Sequence, residues 1–222
     1  MHQPHYAFRF MRMMLGLFVF AVGIVMTVNA NIGLAPWDVF HQGLSTVLGI
    51  TFGQAGILVG VAIVVINFFT GEKIGWGTLG NMVFIGLFID LLMFNNLIPQ
   101  MQVFILGVIQ MIAGLFVIGL ASYLYIGAGL GCGPRDGLMV ALLKRSNRSV
   151  SLIRGVIEGG ALVCGWLLGG SAGLGTVITA LLTGPIVGLT FRILRFNVAA
   201  VEHTFVDEDI KAVSRKLKSV KH

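Results

Sequence analysis

Two short polar stretches interrupt a largely apolar chain: Asn31-Ile-Gly-Leu-Ala-Pro-Trp-Asp38 and Gly129-Leu-Gly-Cys-Gly-Pro-Arg-Asp-Gly137. The first places Asp38 and His41 together, and the second places Arg135 beside Asp136. An arginine fork pairs with a carboxylate or another anionic group. A histidine beside a carboxylate can carry a proton or bond a polar solute. A plainer role is open too, in which Arg135 bonds a carbonyl or Asp136 and fixes the fold. Further along stand Arg154 and Glu158, one helical turn apart. Glu158 follows Arg148 by ten residues, which is about 15 Å along a helix and close to the middle of a bilayer about 30 Å thick. A structural ion pair and a place on a polar pathway both fit that position. Asn67, Asn81 and Asp90 read as polar glue between helices.

None of these groups forms a catalytic set. The sequence has no Ser–His–Asp arrangement, no HExxH and no P-loop. It is therefore read as a non-enzyme with no catalytic residue and no cofactor. Cys132 and Cys164 lack a CxxC partner. They read as small buried side chains, and no metal site is expected.

The elements that carry these residues follow from glycine and proline. Pro36 and Pro134 suit the first turn of a helix, where the missing N–H costs nothing. Gly33, Gly131, Gly133 and Gly137 permit close approach or dihedrals closed to other residues. Asp38 and Asp136 then lie in the first turn and complement the helix dipole. Each stretch is a break followed by a restart, leading into short helices over about 37–49 and 136–144. Broken backbone at membrane depth is tolerated only where protein or a watery cavity covers it.

Composition places the chain in a membrane. It has 222 residues, 56% hydrophobic and 11% charged, with a mean hydropathy of +0.93. A soluble domain needs roughly a quarter charged residues to cover its surface. Apolar runs at 13–30, 56–70, 76–94, 103–126, 152–168 and 174–191 are long enough to cross, the shorter ones with their flanks. The first run is read as a retained helix rather than a signal peptide. The abundant glycines read as close helix packing, as at Gly155-x-x-x-Gly159 and Gly173-x-Gly175.

The motifs recur at a fixed offset. Gly33, Pro36 and Asp38 fall on Gly131, Pro134 and Asp136, each 98 residues further on. Gly71, Gly75, Gly77 and Thr78 fall on Gly169, Gly173, Gly175 and Thr176 in the same register. The expected fold is all-α and polytopic. About six spans form two three-helix inverted repeats, at 13–95 and 103–195, each with its Gly/Pro-broken short helix. Residues 1–12 are a cytoplasmic N-terminus. Arg9, Arg12, Lys73, Lys144, Arg145, Arg148, Arg192 and Arg195 then share the cytoplasmic side. If the short helices also cross, there are eight spans and parallel repeats; Lys73 alone would change sides.

Residues 196–222 form a basic amphipathic tail on the cytoplasmic side, suited to anionic lipid headgroups or to packing under the bundle. This tail accounts for much of the net charge of +6, so no nucleic-acid partner is expected.

The motifs NIGLAPWDVFHQGLS (31–45), GWGTLGN (75–81), GAGLGCGPRDGLM (127–139) and GWLLGGSAGLGT (165–176) resemble the YczE branch of the YczE/YyaS/YitT family of bacterial membrane proteins. The resemblance covers about residues 9–195. It implies a multi-pass protein of the bacterial plasma membrane and no known catalytic chemistry or substrate. From the repeats and polar breaks, the expected function is a small secondary transporter or channel-like protein. Its unknown small solute would bind at Asp38, His41, Arg135, Asp136, Arg154 and Glu158. Two alternatives stay open: a substrate-binding membrane subunit that needs an energising partner, and a non-transporting scaffold or regulator. A homo-oligomer also stays open.

Overall fold

A computed structural model describes residues 6–146 and 148–206. Among these lie eight α-helices: α1 (Tyr6–Asn29), α2 (Pro36–Leu48), α3 (Phe52–Phe69), α4 (Trp76–Phe94), α5 (Phe104–Ile126), α6 (Pro134–Arg145), α7 (Val150–Leu167) and α8 (Leu174–Ile193). Six of them, all but α2 and α6, are long and apolar enough to cross a membrane. Large apolar side chains such as Phe69, Phe94, Ile105, Trp166 and Leu181 lie exposed on their outer faces, as lipid contact requires.

The short helices start where the sequence breaks. Ala35 and Gly133 are extended N-caps, and Pro36 and Pro134 occupy the first turns of α2 and α6. Thr51 caps α3 with a reciprocal capping box to Gln54, and Ser149 caps α7 through the Leu152 amide. The helices of the second set begin at residues 104, 134, 150 and 174 against 6, 36, 52 and 76 in the first, so each start is displaced by the same 98 residues as the motifs.

The core follows the α1–α5 contact and continues onto α4. Met13, Leu17, Tyr125, Ala128 and Leu130 form one buried cluster, and Ala21, Val25, Ile89 and Leu92 a second. Glycines let α1 and α5 approach closely: a Cβ on Gly16 would lie 2.7 Å from the Tyr125 backbone nitrogen. Around this pair the contacts correspond, α1 with α4 as α5 with α8, and α2 with α7 as α3 with α6. One correspondence fails. Helix α3 packs along α4, but α7 and α8 do not pack along one another.

Three expectations need correction. The Gly155-x-x-x-Gly159 face makes no close packing, since a Cβ on either glycine would meet nothing within 4 Å. It lies on the side of α7 that has no helix partner. Cys132 and Cys164 are both exposed rather than buried: Cys132 sits at the break loop, and Cys164 on a helix whose outer face is open. Finally, α1 begins at Tyr6, so Arg9 and Arg12 belong to the helix and not to a preceding segment. Arg9 is buried and donates to the carbonyls of Ala128 (2.8 Å) and Gly129 (2.6 Å). Arg12 lies 4.8 Å over the Tyr123 ring.

Residues 201–206 run back under the break loop. Thr204 N–H donates to the Gly129 carbonyl, and Val206 N–H to the Ile74 carbonyl. The amphipathic tail expected over 196–222 lies, from 207 on, outside the described residues.

Candidate functional site

The two break loops are each held by the opposite half. Gly175 N–H donates to the Ile32 carbonyl at 2.7 Å, and Gly77 N–H to the Leu130 carbonyl at 2.6 Å. Gly33 lies against Gly173 in the same way that Gly131 lies against Gly75. Gly33 and Gly131 have φ of +114° and +117°, a region that L side chains rarely adopt. Thr78 Oγ1 accepts from Gly75 N–H and donates to the Cys132 carbonyl at 2.6 Å. Thr176 Oγ1 accepts from Gly173 N–H. These bonds satisfy break-loop backbone that lipid could not satisfy.

Anchored this way, α2 and α6 present their first turns to one cavity of about 630 Å³. Asp38, His41, Arg135, Asp136, Arg154 and Glu158 all line it. His41 Nε2 lies 3.2 Å from an Arg135 Nη, and His41 Nδ1 lies 3.5 Å from Asp38 Oδ1. The Arg135 guanidinium also stacks 4.4 Å from the Trp37 ring centroid. Asp136 lies in the first turn of α6, with its carboxylate beside Gly133. Arg154 and Glu158 form an ion pair at 2.8 Å along α7. The site is thus a line of polar groups, Asp38–His41–Arg135, running from one half to the other, with a separate ion pair at its side.

The helix-break residues take different places. Gly33 and Gly131 carry the positive φ. Pro36 and Pro134 start the helices, and Gly133 caps α6. Gly137 makes room for Asn67, whose Nδ2 lies 2.5 Å from where a glycine-137 Cβ would be. Asn67 in turn donates to the Pro134 carbonyl at 2.8 Å, tying α3 to α6.

Trp37 and Tyr125 belong to the cavity wall and were not singled out from the sequence. Trp37 sits between motif residues Pro36 and Asp38, and that position was the available signal. Tyr125 is 4% exposed and its hydroxyl has no hydrogen-bond partner. A buried hydroxyl without a partner is unusual and costly, and nothing in its sequence context announced it. The rest of the wall is mostly apolar, with Ile24, Ile63, Ile85, Leu115 and Ile118.

Six apolar spans around a partly polar, glycine-bounded cavity define a multi-pass, all-helical membrane protein. Over residues 7–192 the chain matches the model of a family of unknown function, DUF6198, and it belongs to that family. It is 38% identical over 185 residues to the uncharacterised membrane protein YczE of Bacillus subtilis (strain 168), covering 82% of each chain. It is 31% identical to an uncharacterised protein of Haemophilus influenzae, covering 82% of this chain and 83% of that one. It is 27% identical to the uncharacterised protein YyaS of B. subtilis, covering 77% and 86%. No solved structure matches.

Proposed function

We propose that the protein is a small secondary transporter that binds a small solute in the cavity between its two halves. The observation that carries this reading is the meeting of Asp38 and His41 from one break with Arg135 from the other across a single cavity. Discontinuous helices that converge on a shared site between inverted repeats are a recurrent transporter design. On this reading the halves are inverted repeats, both termini are cytoplasmic and the membrane is the bacterial plasma membrane.

The difference between the halves supports the same reading. Alternating access needs one closed side and one open side. The α3–α4 seam is closed, and the corresponding α7–α8 seam is not. Helix α8 also carries Pro185 between Gly184 and Gly188, and bending is cheap at such a place.

The test is purified protein in liposomes, assayed for solute accumulation and, in detergent, for solute binding. Flux without any added subunit supports the transporter. Binding without flux favours a capture subunit that needs an energising partner. Neither binding nor flux leaves a scaffold and overturns the proposal.

A further inference from the structure

The contact between His41 and Arg135 fixes a proton. A guanidinium has donors only, so His41 Nε2, 3.2 Å from Arg135 Nη, must accept. The single proton of the neutral ring then sits on Nδ1, facing Asp38 Oδ1 at 3.5 Å. A second proton, arriving at Nε2, would set donor against donor and cation against cation. The bond to Arg135 would be lost.

Arg135 has little else to hold it. Among the described residues no carboxylate lies within ion-pair distance of it; the Trp37 face is its other contact. A guanidinium carries five N–H donors in a fixed fork. Only one side of this fork is used by His41, and the residue is otherwise exposed to the cavity. Tyr125 supplies a second group on the same wall without a partner.

We propose that His41 and Arg135 act as a coupled pair: a proton bound at His41 Nε2 releases Arg135, and the freed fork takes the carboxylate of an amphipathic organic solute. This rests on the solute-binding reading above and gives it a ligand class and a coupling ion.

Charge balance favours joint uptake. Asp38, Asp136 and Glu158 stand on the cavity wall against Arg135 and Arg154, so the wall is one negative charge in excess with His41 neutral. An anion alone deepens that excess, which is expensive away from water. An anion with a proton leaves it unchanged. An amine would balance charge without a proton. It would leave the Arg135 fork unused, however, and would compete for the carboxylates of Asp38 and Glu158, already paired with His41 and Arg154. The groups around His41 are few. Asp38 is on its own helix, Arg135 and Asp136 are on α6, and Arg154 and Glu158 are on α7. Helix α3 presents Phe52 and Gly56, which do not titrate. The apolar remainder of the wall fits the body of the solute, and a cavity of this volume suits a compact organic molecule.

The experiment uses one skeleton in three charge states: 3-phenylpropionate, 3-phenylpropylamine and 3-phenylpropanol. Calorimetry on the full chain in nanodiscs, in two buffers of different ionisation heat, counts protons exchanged on binding. Phenylpropionate should bind tightest and take up about one proton, its affinity falling about tenfold per pH unit once His41 is neutral. His41→Asn should remove the proton uptake and the pH slope, and Arg135→Gln should weaken carboxylate binding more than tenfold. Competition by oleate in the bilayer would mark a lipid-borne acid as the source, and its absence a water-borne one; both keep the carboxylate chemistry. Carboxylate binding without proton uptake in the unmodified protein, or tighter binding of the amine, overturns the coupled pair and leaves the solute site standing. No binding of any probe overturns both.

Discussion

Gly77 donates its backbone N–H to the Leu130 carbonyl at 2.6 Å. The counterparts of these two residues, Gly175 and Ile32, are joined in the same sense at 2.7 Å. The same contact is thus made twice, with the roles of the two break loops exchanged. Here it binds each break loop to the start of the other half's last helix.

That exchange predicts paired sensitivity. Alanine at Gly33 or Gly131 would adopt φ near +114° or +117° and bring a Cβ within 2.7 Å of Gly173 or Gly75 backbone. Strain of this kind costs about 1–3 kcal/mol before the clash is counted. Both substitutions should lower the thermal midpoint in detergent by a similar, large amount. Gly155→Ala, whose Cβ meets open space, should leave it unchanged or slightly raised. A wild-type midpoint for Gly131→Ala would remove the loop contact as a source of stability.

Much of this architecture was legible because proline and glycine act locally. The restarts at Pro36 and Pro134 and the span over Trp76–Phe94 stand where the sequence placed them. Asp38, His41 and Arg135 were readable as polar groups at breaks. Their mutual distances were not. What the sequence could not convey is which face of each helix meets protein. In a soluble helix the charged face answers that, but α3, α4 and α8 carry almost no charge, as lipid demands. The unpartnered side of α7, with Gly155 and Gly159, therefore looked like a packing seam. Arg9 was readable as a charge at a span end, but nothing in its neighbourhood announced its bonds to two carbonyls over a hundred residues away.

The orientation is testable by reporters. With both termini inside, a fusion after Gly71 faces the cytoplasm and a periplasm-active phosphatase there should be silent. The same reporter after Asn96 should be active. The basis is the run of Lys and Arg at alternate span ends. Activity after Gly71 would instead require the short helices to cross.

His203 predicts a pH-sensitive tail. Its Nδ1 accepts from Gly131 N–H at 3.3 Å, which requires an unprotonated nitrogen. Burial, and then the Arg9 charge, hold its pKa below the usual 6.5. A lowered histidine pKa means the docked state binds fewer protons than the undocked one, so docking strengthens as pH rises. The contribution is full above pH 6.5 and declines as pH falls below it towards the docked value. Limited proteolysis should cut the 201–206 segment faster at pH 5.5 than at pH 8, and His203→Gln should flatten the difference. Equal cutting rates in the unmodified protein would show that His203 does not hold the segment.

The last prediction turns on Asp90. Its carboxylate accepts from Gly53 N–H at 2.8 Å and from the Thr51 hydroxyl, fastening the start of α3 to the end of α4. Below this clasp the two backbones touch, for a Cβ on Gly53 would sit 2.1 Å from the Gly86 carbonyl oxygen. The corresponding residues of the second half are Ser149, Ser151, Gly184 and Gly188. The carboxylate has become a glycine, and Cβ atoms on Gly184 and Gly188 would meet nothing within 4 Å. One seam is therefore clasped and its counterpart is not, which is a chemical reason for the difference in packing. Asp90→Ala should cost about 1–3 kcal/mol, the value of a lost charged hydrogen-bond acceptor. With both native cysteines replaced by alanine, it should also raise labelling of an Ile57→Cys reporter by a membrane-impermeant maleimide. Asp90→Asn should fall between the two, because an amide still accepts. The reverse change is the stronger test. Gly188→Asp offers Ser149 and Ser151 the acceptor they lack. If the clasp sets the seam, this variant should draw α7 onto α8, raise the thermal midpoint and slow any solute flux. An unchanged midpoint with unchanged flux would place the cause of the opening elsewhere than in the missing carboxylate.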